Sequence, residues 1–305
     1  MSLFSLITVF LLEQLRPLDY SRWVADPFLA WADFLERRFN AGSYRQGMLV
    51  WCLAVLPPLL LVGGLYFLLY RVHPLLAWGL NVAVLYLTMG FRQFSHFYTD
   101  IQLALRLGDV ERARELLAEW QGQPVSRCSP GDIARISIEA ALAASHRHVF
   151  AILLWFVLLP GPLGALLYRL AHLLATHWRQ RGPEDSFGKF PQQIFVIVDW
   201  LPVRLTAAAF AVVGNFEDAV YCWRSQATQW DDPELGIVLS SGAGALGVRL
   251  GVPSSETDAL AESGELGVGE AADADFMQSA VGLVWRAIVL WLMMLFLLGL
   301  ASLVG

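Results

Sequence analysis

Long apolar runs alternate with compact polar regions along the chain. Met48 to Tyr70 carries no charge and is long enough to cross a bilayer, which takes about 20 apolar residues. Pro57-Pro58 should kink it. Arg71, His73 and Pro74 make a tight turn, and Pro74 to Phe91 is a second apolar run, so the pair predicts a transmembrane hairpin. Val149 to Tyr168 is a third run. Pro160-Gly161-Pro162 and Gly164 lie inside it and predict a broken helix whose freed backbone groups need protein neighbours. Gln193 to Gly214 is the fourth run, and Leu283 to Val304, uncharged after Arg286, is the fifth. Ser2 to Leu12 is apolar but too short to span. No basic stretch precedes it and no small-residue cleavage site follows, so a re-entrant, interfacial or tilted packed helix is expected rather than a signal peptide.

The polar regions read as helices. In Pro17 to Gly47, Phe28, Trp31, Leu35 and Phe39 recur at three to four positions, with Asp33, Glu36, Arg37 and Asn40 on a polar side. This predicts an amphipathic helix, either lying on the membrane with Trp23 and Trp31 at the headgroups or packed into a core. Gly108 breaks the next region, Asp109 caps a helix to Trp120, and Asp132 caps another that runs on toward the third span. The divisions expected are an N-terminal segment over 1–47, a transmembrane hairpin over 48–91, a helical polar region over 92–148, broken transmembrane helices over 149–214, an acidic helical region over 215–282 and a C-terminal transmembrane helix over 283–305. The fold class is an all-α polytopic membrane protein with about five hydrophobic segments, a short N-terminal membrane-associated helix and amphipathic cytoplasmic helices.

Composition agrees with that class and narrows the partners. The chain is 56% hydrophobic and 16% charged, too apolar for an ordinary soluble domain. Its net charge of −6 excludes the basic footprint that nucleic acid requires. Expected partners are the lipid bilayer, a small polar or phosphate-bearing ligand, and a second copy or another protein. Grouping the large polar regions on one side gives that side 14 basic residues against 5, which places them in the cytoplasm of a bacterial inner-membrane protein. Cys52, Cys128 and Cys222 are far apart and no CxxC or Cys/His metal spacing occurs, so neither a zinc site nor a disulfide framework is indicated.

The fourth run carries charge where a span should have none. Asp199, Pro202 and Arg204 sit in its middle, and a charge at the centre of a lipid-facing helix costs roughly 2.5–3.5 kcal/mol on insertion scales. The two charges are about 140° apart round an ideal helix, so they are not direct partners. Pro202 should kink or break the helix between them. The segment either fixes helix packing or lines a ligand pocket. His146, Arg147 and His148 form a second polar cluster at a predicted membrane boundary, read as a wet interface or an anion site. Gly242-Ala243-Gly244-Ala245-Leu246-Gly247 has no strand before it, so small-residue helix packing is a better reading than a nucleotide turn.

Several stretches resemble one family. Ser241 to Pro253, SGAGALGVRLGVP, resembles the glycine-rich segment of the CobD/CbiB adenosylcobinamide-phosphate synthases. Gly264 to Ala287, ending FMQSAVGLVWRA, resembles their acidic linker and last helix, and Asp199 to Thr206, DWLPVRLT, their N-W-I-P-A-R-L-T. Arg135 to Glu139, Trp155 and Pro162 to Arg169 also align. AmpE, an inner-membrane protein of the same superfamily linked to β-lactamase induction, has a start similar to Leu3–Leu15 and a D-W-V-P-V-R-L stretch close to Asp199–Leu205.

The candidate ligand-binding residues are Asp199, Arg204, Arg135, Glu139, Arg147 and His148, with no catalytic residue identified and no metal site. The departures are systematic. The synthases' acid-Asn and Asp-Gly positions read Ala143, Ala144, Arg147 and His148 here. Their Asn-Thr-x-Asp-Ser-Met stretch becomes His172 to His177, their Arg-x-Asp-Asp becomes Gln193 to Val196, and their Gly-Arg-Asp becomes Gln123 to Val125. With those carboxylates gone, the residues favour an AmpE-like regulatory or sensory, non-catalytic protein that requires no cofactor. The alternative is a cobalamin-biosynthesis synthase joining aminopropanol or its phosphate to a corrinoid carboxylate, which would need ATP and Mg²⁺. Broken helices and intramembrane charges leave a transporter as a third reading.

Overall fold

The structure, a computed structural model, describes residues 2–15, 24–40, 42–122, 128–179, 186–251 and 264–304. Trp23, the Gln123–Val125 departure and the Val252-Pro253 end of the glycine-rich stretch lie outside these residues. Among the described residues the regular structure is helical apart from one pair of two-residue strands. Among the described residues, four helices are long and apolar enough to cross a membrane: Tyr44–Val72, Pro130–Leu158, Ser186–Val213 and Ala274–Ala301. Phe4–Glu13 and Pro74–Thr88 are shorter apolar helices. Leu60, Leu61, Phe67 and Leu68 on the first of these, and Met293, Phe296, Leu297 and Leu298 on the last, stand exposed. Apolar bands of that kind need lipid around them.

The chain divides into two interleaved units, Met1–Gly90 with Ala151–Leu201, and Phe91–Phe150 with Pro202–Gly305. The first contains α1 (Ser2–Leu15), α2 (Asp26–Phe39), α3 (Tyr44–Val72), α4 (Pro74–Thr88), α8 (Ala151–Leu158), α9 (Leu163–Arg179) and the start of α10 (Ser186–Val213). Its core joins Phe28, Ala32 and Leu35 of α2 to Val50, Ala54 and Val55 of α3 and to Leu170, Leu174 and Trp178 of α9. The apolar face of α2 is therefore packed. Glu36, expected on the polar side, is buried because Trp178 Nε1 donates to its carboxylate at 2.9 Å and Asn40 donates to it at 3.1 Å. Asp33 pairs with His177 at 2.7 Å. These contacts fix α2 to α9.

None of the prolines inside α3 and α10 breaks its helix. The α3 helix continues through Pro57 and Pro58, and α10 continues through Pro202. Proline at 202 cannot donate to the carbonyl four residues back, that of Val198. Trp155 of α8 supplies the missing donor, with Nε1 bonding to the Val198 oxygen at 3.1 Å. The break expected in the third run does occur. A turn between α8 and α9 carries Gly161 at φ 64°, and Gly164 lies so close to the Trp155 carbonyl that any Cβ there would collide with it.

The second unit contains α5 (Phe91–Arg106), α6 (Val110–Gln121), α7 (Pro130–Ser145), the remainder of α10, α11 (Phe216–Gln226), α12 (Pro233–Leu246) and α13 (Ala274–Val304). Gly108, at φ 76°, separates α5 from α6, and Asp109 caps α6 by accepting from Arg112 N at 3.1 Å. For α7 the cap is Ser129 rather than Asp132. Pro130 fits N1, where no N–H is needed, and Asp132 falls at N3, where it completes a capping box. Between α7 and α8 the chain makes one π turn, His146–Phe150. The α12 helix is buried among its neighbours through small residues. A Cβ on Gly242 would meet Leu142 Cδ1 at 2.8 Å, and one on Gly244 would run into the Asp218 carbonyl. This is the helix-packing role expected of that stretch. Strands β1 (Val248–Arg249) and β2 (Glu270–Ala271) pair in parallel, Val248 with Glu270 and Arg249 with Ala271, a small departure from the all-α expectation.

Candidate functional site

The capped start of α7 builds the first polar group. Ser129 N donates to Asp132 Oδ2 at 2.9 Å, Ser129 Oγ donates to the same oxygen at 2.6 Å, and Asp132 N donates back to Ser129 Oγ at 3.2 Å. Residues three and four apart share a helix face. Asp132, Arg135 and Glu139 accordingly form a ladder, with Arg135 Nη1 donating to Glu139 Oε1 at 3.0 Å and Nη2 3.8 Å from Asp132 Oδ1. Gly251 N donates to the same Glu139 oxygen at 2.8 Å. That bond ties the Arg135–Glu139 motif to the glycine-rich stretch, two segments the sequence separates by 112 positions.

Glycines make the approach feasible. Gly251 has φ 80° and abuts the Gly264 carbonyl, and Gly267 has φ 89° and abuts the Val248 carbonyl, so a side chain at either would collide. The β1–β2 pair that results sets Arg249 near the start of α7. Ser129, Gly131, Asp132, Arg135, Arg249 and Ala271 line a cavity of about 270 Å³ there. Arg249 is half exposed, and among the described residues its one ion pair is with Glu265 at 3.7 Å.

A second polar group forms round the start of α12. Asp232 is its N-cap, accepting from Leu235 N at 3.3 Å, and Pro233 occupies N1. Arg204 Nη1 donates to Glu234 Oε2 at 3.0 Å, and Arg147 Nη2 lies 3.6 Å from Asp232 Oδ2. The two arginines thus converge on one helical turn and its carboxylates balance them. Beside them His146 Nδ1 and Thr206 Oγ1 are in hydrogen-bond contact at 3.0 Å, and Ser241 Oγ donates to the Ala207 carbonyl at 2.8 Å. π turns often mark functional sites, and the one here brings Arg147 and His146 to this group. His148, also on it, packs its ring 6.3 Å from that of Phe94.

Asp199 belongs to the first unit. It is 4% exposed and accepts from the Tyr168 hydroxyl at 2.9 Å. Of the six candidates, the structure joins Arg135 with Glu139 and brings Arg147 and Arg204 to one helix start. Asp199 and His148 lie in other surroundings. Asp232, Glu234 and Arg249 were not singled out from the sequence. Asp-Pro-Glu before an apolar run is a helix-start signal that could have placed two carboxylates there.

A profile described as CobD/Cbib protein matches residues 21–284. The chain belongs to the CobD/CbiB family. A cobalamin biosynthesis protein CobD of Stutzerimonas stutzeri is 35% identical over 279 residues, 89% of this chain and 90% of that protein. One of Chromobacterium violaceum with the same description is 35% identical over 219 residues, 72% of this chain and 70% of that protein. Cobalamin biosynthesis protein CbiB of Salmonella typhimurium is 23% identical over 248 residues, covering 77% and 76%. No solved structure matches. These CobD/CbiB relatives side with the synthase implication of the resemblance, and their names lend no support to the AmpE-like regulatory reading.

Proposed function

We propose that this CobD/CbiB member is a membrane-bound enzyme of cobalamin biosynthesis, a synthase that forms an amide between a corrinoid carboxylate and aminopropanol or its phosphate. The observation that carries the reading is the 35% identity to a protein named for that pathway over nine-tenths of both chains. The geometry supports it. Two family-like motifs meet at the Glu139–Gly251 bond, and arginines gather at two places where carboxylate or phosphate groups could be held by paired N–H donors. The polar regions would face the cytoplasm, where ATP is available.

The described residues do not form a magnesium cage. Among the described residues no three His, Cys, Asp or Glu side chains group together, and Asp132 and Glu139 are engaged with Arg135. The same observation favours a second reading, a non-catalytic family member, because Ala143, Ala144, Arg147 and His148 supply no carboxylate. Complementation decides between them. A strain lacking its synthase, grown where it must make cobalamin from a corrinoid acid, should be rescued by the wild-type chain. Failure despite normal membrane expression, with no ATP- and Mg²⁺-dependent amide product from the purified protein, would sink the synthase reading.

A further inference from the structure

We infer that the cavity at the start of α7 is a phosphate-binding site for a small molecule, with Arg249 as its principal cation. The inference deepens the synthase reading, on which its physiological meaning rests, by placing a phosphate-bearing substrate.

The wall is mostly apolar and includes the Asp132 carboxylate, and a few donors in it are left over after the fold has used what it needs. The carboxylate of Asp132 is taken up by Ser129 and faces Arg135, and that of Glu139 is held by Arg135 and by Gly251 N. These contacts fix Arg135 without exhausting the five N–H groups of its guanidinium. The Arg249 guanidinium makes no hydrogen bond among the described residues, and its 3.7 Å contact with half-exposed Glu265 is too long and too wet to hold it. Gly131 stands in the first turn of α7, whose N–H groups have no acceptor within the helix. Two guanidinium groups and a first-turn amide therefore meet at one hollow, with paired donors suited to phosphate oxygens.

Size limits the ligand. Drug-sized ligands occupy pockets of about 300–1,000 Å³, and this cavity holds about 270 Å³. A phosphate carrying a few heavy atoms fits, whereas a nucleotide or a corrinoid would have to leave most of its bulk outside. The phosphate could be that of a soluble monoester or of a lipid headgroup, since both present the same oxygens.

Calorimetry on the full-length protein in detergent tests this with inorganic phosphate, phosphoethanolamine and glycerophosphoethanolamine as probes. Saturable binding that weakens as salt rises is expected. Tighter binding of the monoester identifies a soluble ligand, and tighter binding of the diester identifies a lipid headgroup. Two variants should each weaken binding at least about tenfold, Arg249→Ala by removing the cation and Ala271→Phe by filling the hollow while both arginines remain. Both positions are exposed, so folding should survive, and Arg112→Ala on the surface of α6 should bind as wild type does. Absence of saturable binding with every probe, or unchanged affinity in both variants, overturns the inference. The two proposals separate cleanly. Variant-sensitive binding without complementation removes the synthase reading and keeps the phosphate site. Complementation by the wild type, with both variants binding and complementing equally well, removes the phosphate site alone.

Discussion

Replacing Trp155 with Phe should expose how α10 tolerates a proline in its interior. Phe keeps the ring packing and loses one atom that matters, the Nε1–H that donates to the Val198 carbonyl at 3.1 Å. Pro202 cannot offer that carbonyl a helical N–H, so the variant leaves it without a donor in a segment where water is scarce. An unsatisfied buried carbonyl costs about 1–3 kcal/mol. Both Trp155 and Val198 are half-buried, which argues for the lower half of that range. For a chain of this size about 1 kcal/mol corresponds to a drop in Tm of about 2–4 °C. The decisive comparison is a cycle with Pro202→Ala, which returns a backbone N–H at position 202. In that background Trp155→Phe should cost only a few tenths of a kcal/mol, giving a coupling of about 1 kcal/mol. Thermal unfolding of the four proteins in one detergent, followed by circular dichroism, measures it. If the two substitutions add without coupling, the tryptophan is not replacing the donor that Pro202 lacks.

Burial, with the nearby Asp218 charge adding to it, pushes the Cys222 thiol up to about 11. Iodoacetamide should therefore leave Cys222 unlabelled at pH 8 in the native protein, where about one thiol in a thousand is ionised, and label it after denaturation in SDS, with Cys52 and Cys128 replaced by Ala for clarity. Because the folded value lies above the unfolded one, this group's contribution to stability is complete below about pH 8.5 and is lost as pH rises through about 11. Cys222→Ala should flatten that part of the stability profile. Gly244→Ala should destabilise by about 1–3 kcal/mol because its Cβ would collide with the Asp218 carbonyl, whereas Gly282→Ala, with nothing within 4 Å, should be neutral or slightly stabilising in parallel melts. A double-mutant cycle on Arg204 and Glu234, a partly buried pair at 3.0 Å, should return about 1 kcal/mol of coupling, and a value near zero would show that the contact does not anchor α12.

Local signals in the sequence carried far along the chain. Long apolar runs marked most of the long helices, Gly108 and Asp109 marked the α5–α6 boundary, and Pro160-Gly161-Pro162 marked the break before α9. Signals that needed a distant partner were harder to read. Pro202 looks like a helix breaker until Trp155 is known to lie beside Val198. Glu36 looks like a surface carboxylate until Trp178 reaches it from α9. In the candidate site, Arg135 and Glu139 are one helical turn apart and could be paired from spacing alone. Arg249 could not be placed, because it depends on the parallel pairing of two-residue strands and on glycines whose left-handed backbones say nothing about which segment they touch.

The interleaving of the two units sets a timetable for synthesis. Phe91–Phe150 is made before the second stretch of the first unit, Ala151–Leu201, and long before its own complement, Pro202–Gly305. Glu139 waits for Gly251, 112 positions downstream, which at about 5–20 residues per second takes roughly 6–22 s of elongation. Throughout that interval the Asp132–Arg135–Glu139 ladder can pair within one helix, two carboxylates on one guanidinium, before the segment that completes the site has been made. Because each unit is assembled from two separated stretches, no cut at a single point separates one from the other. Any attempt to study them apart requires co-expressed fragments or a rearranged chain order.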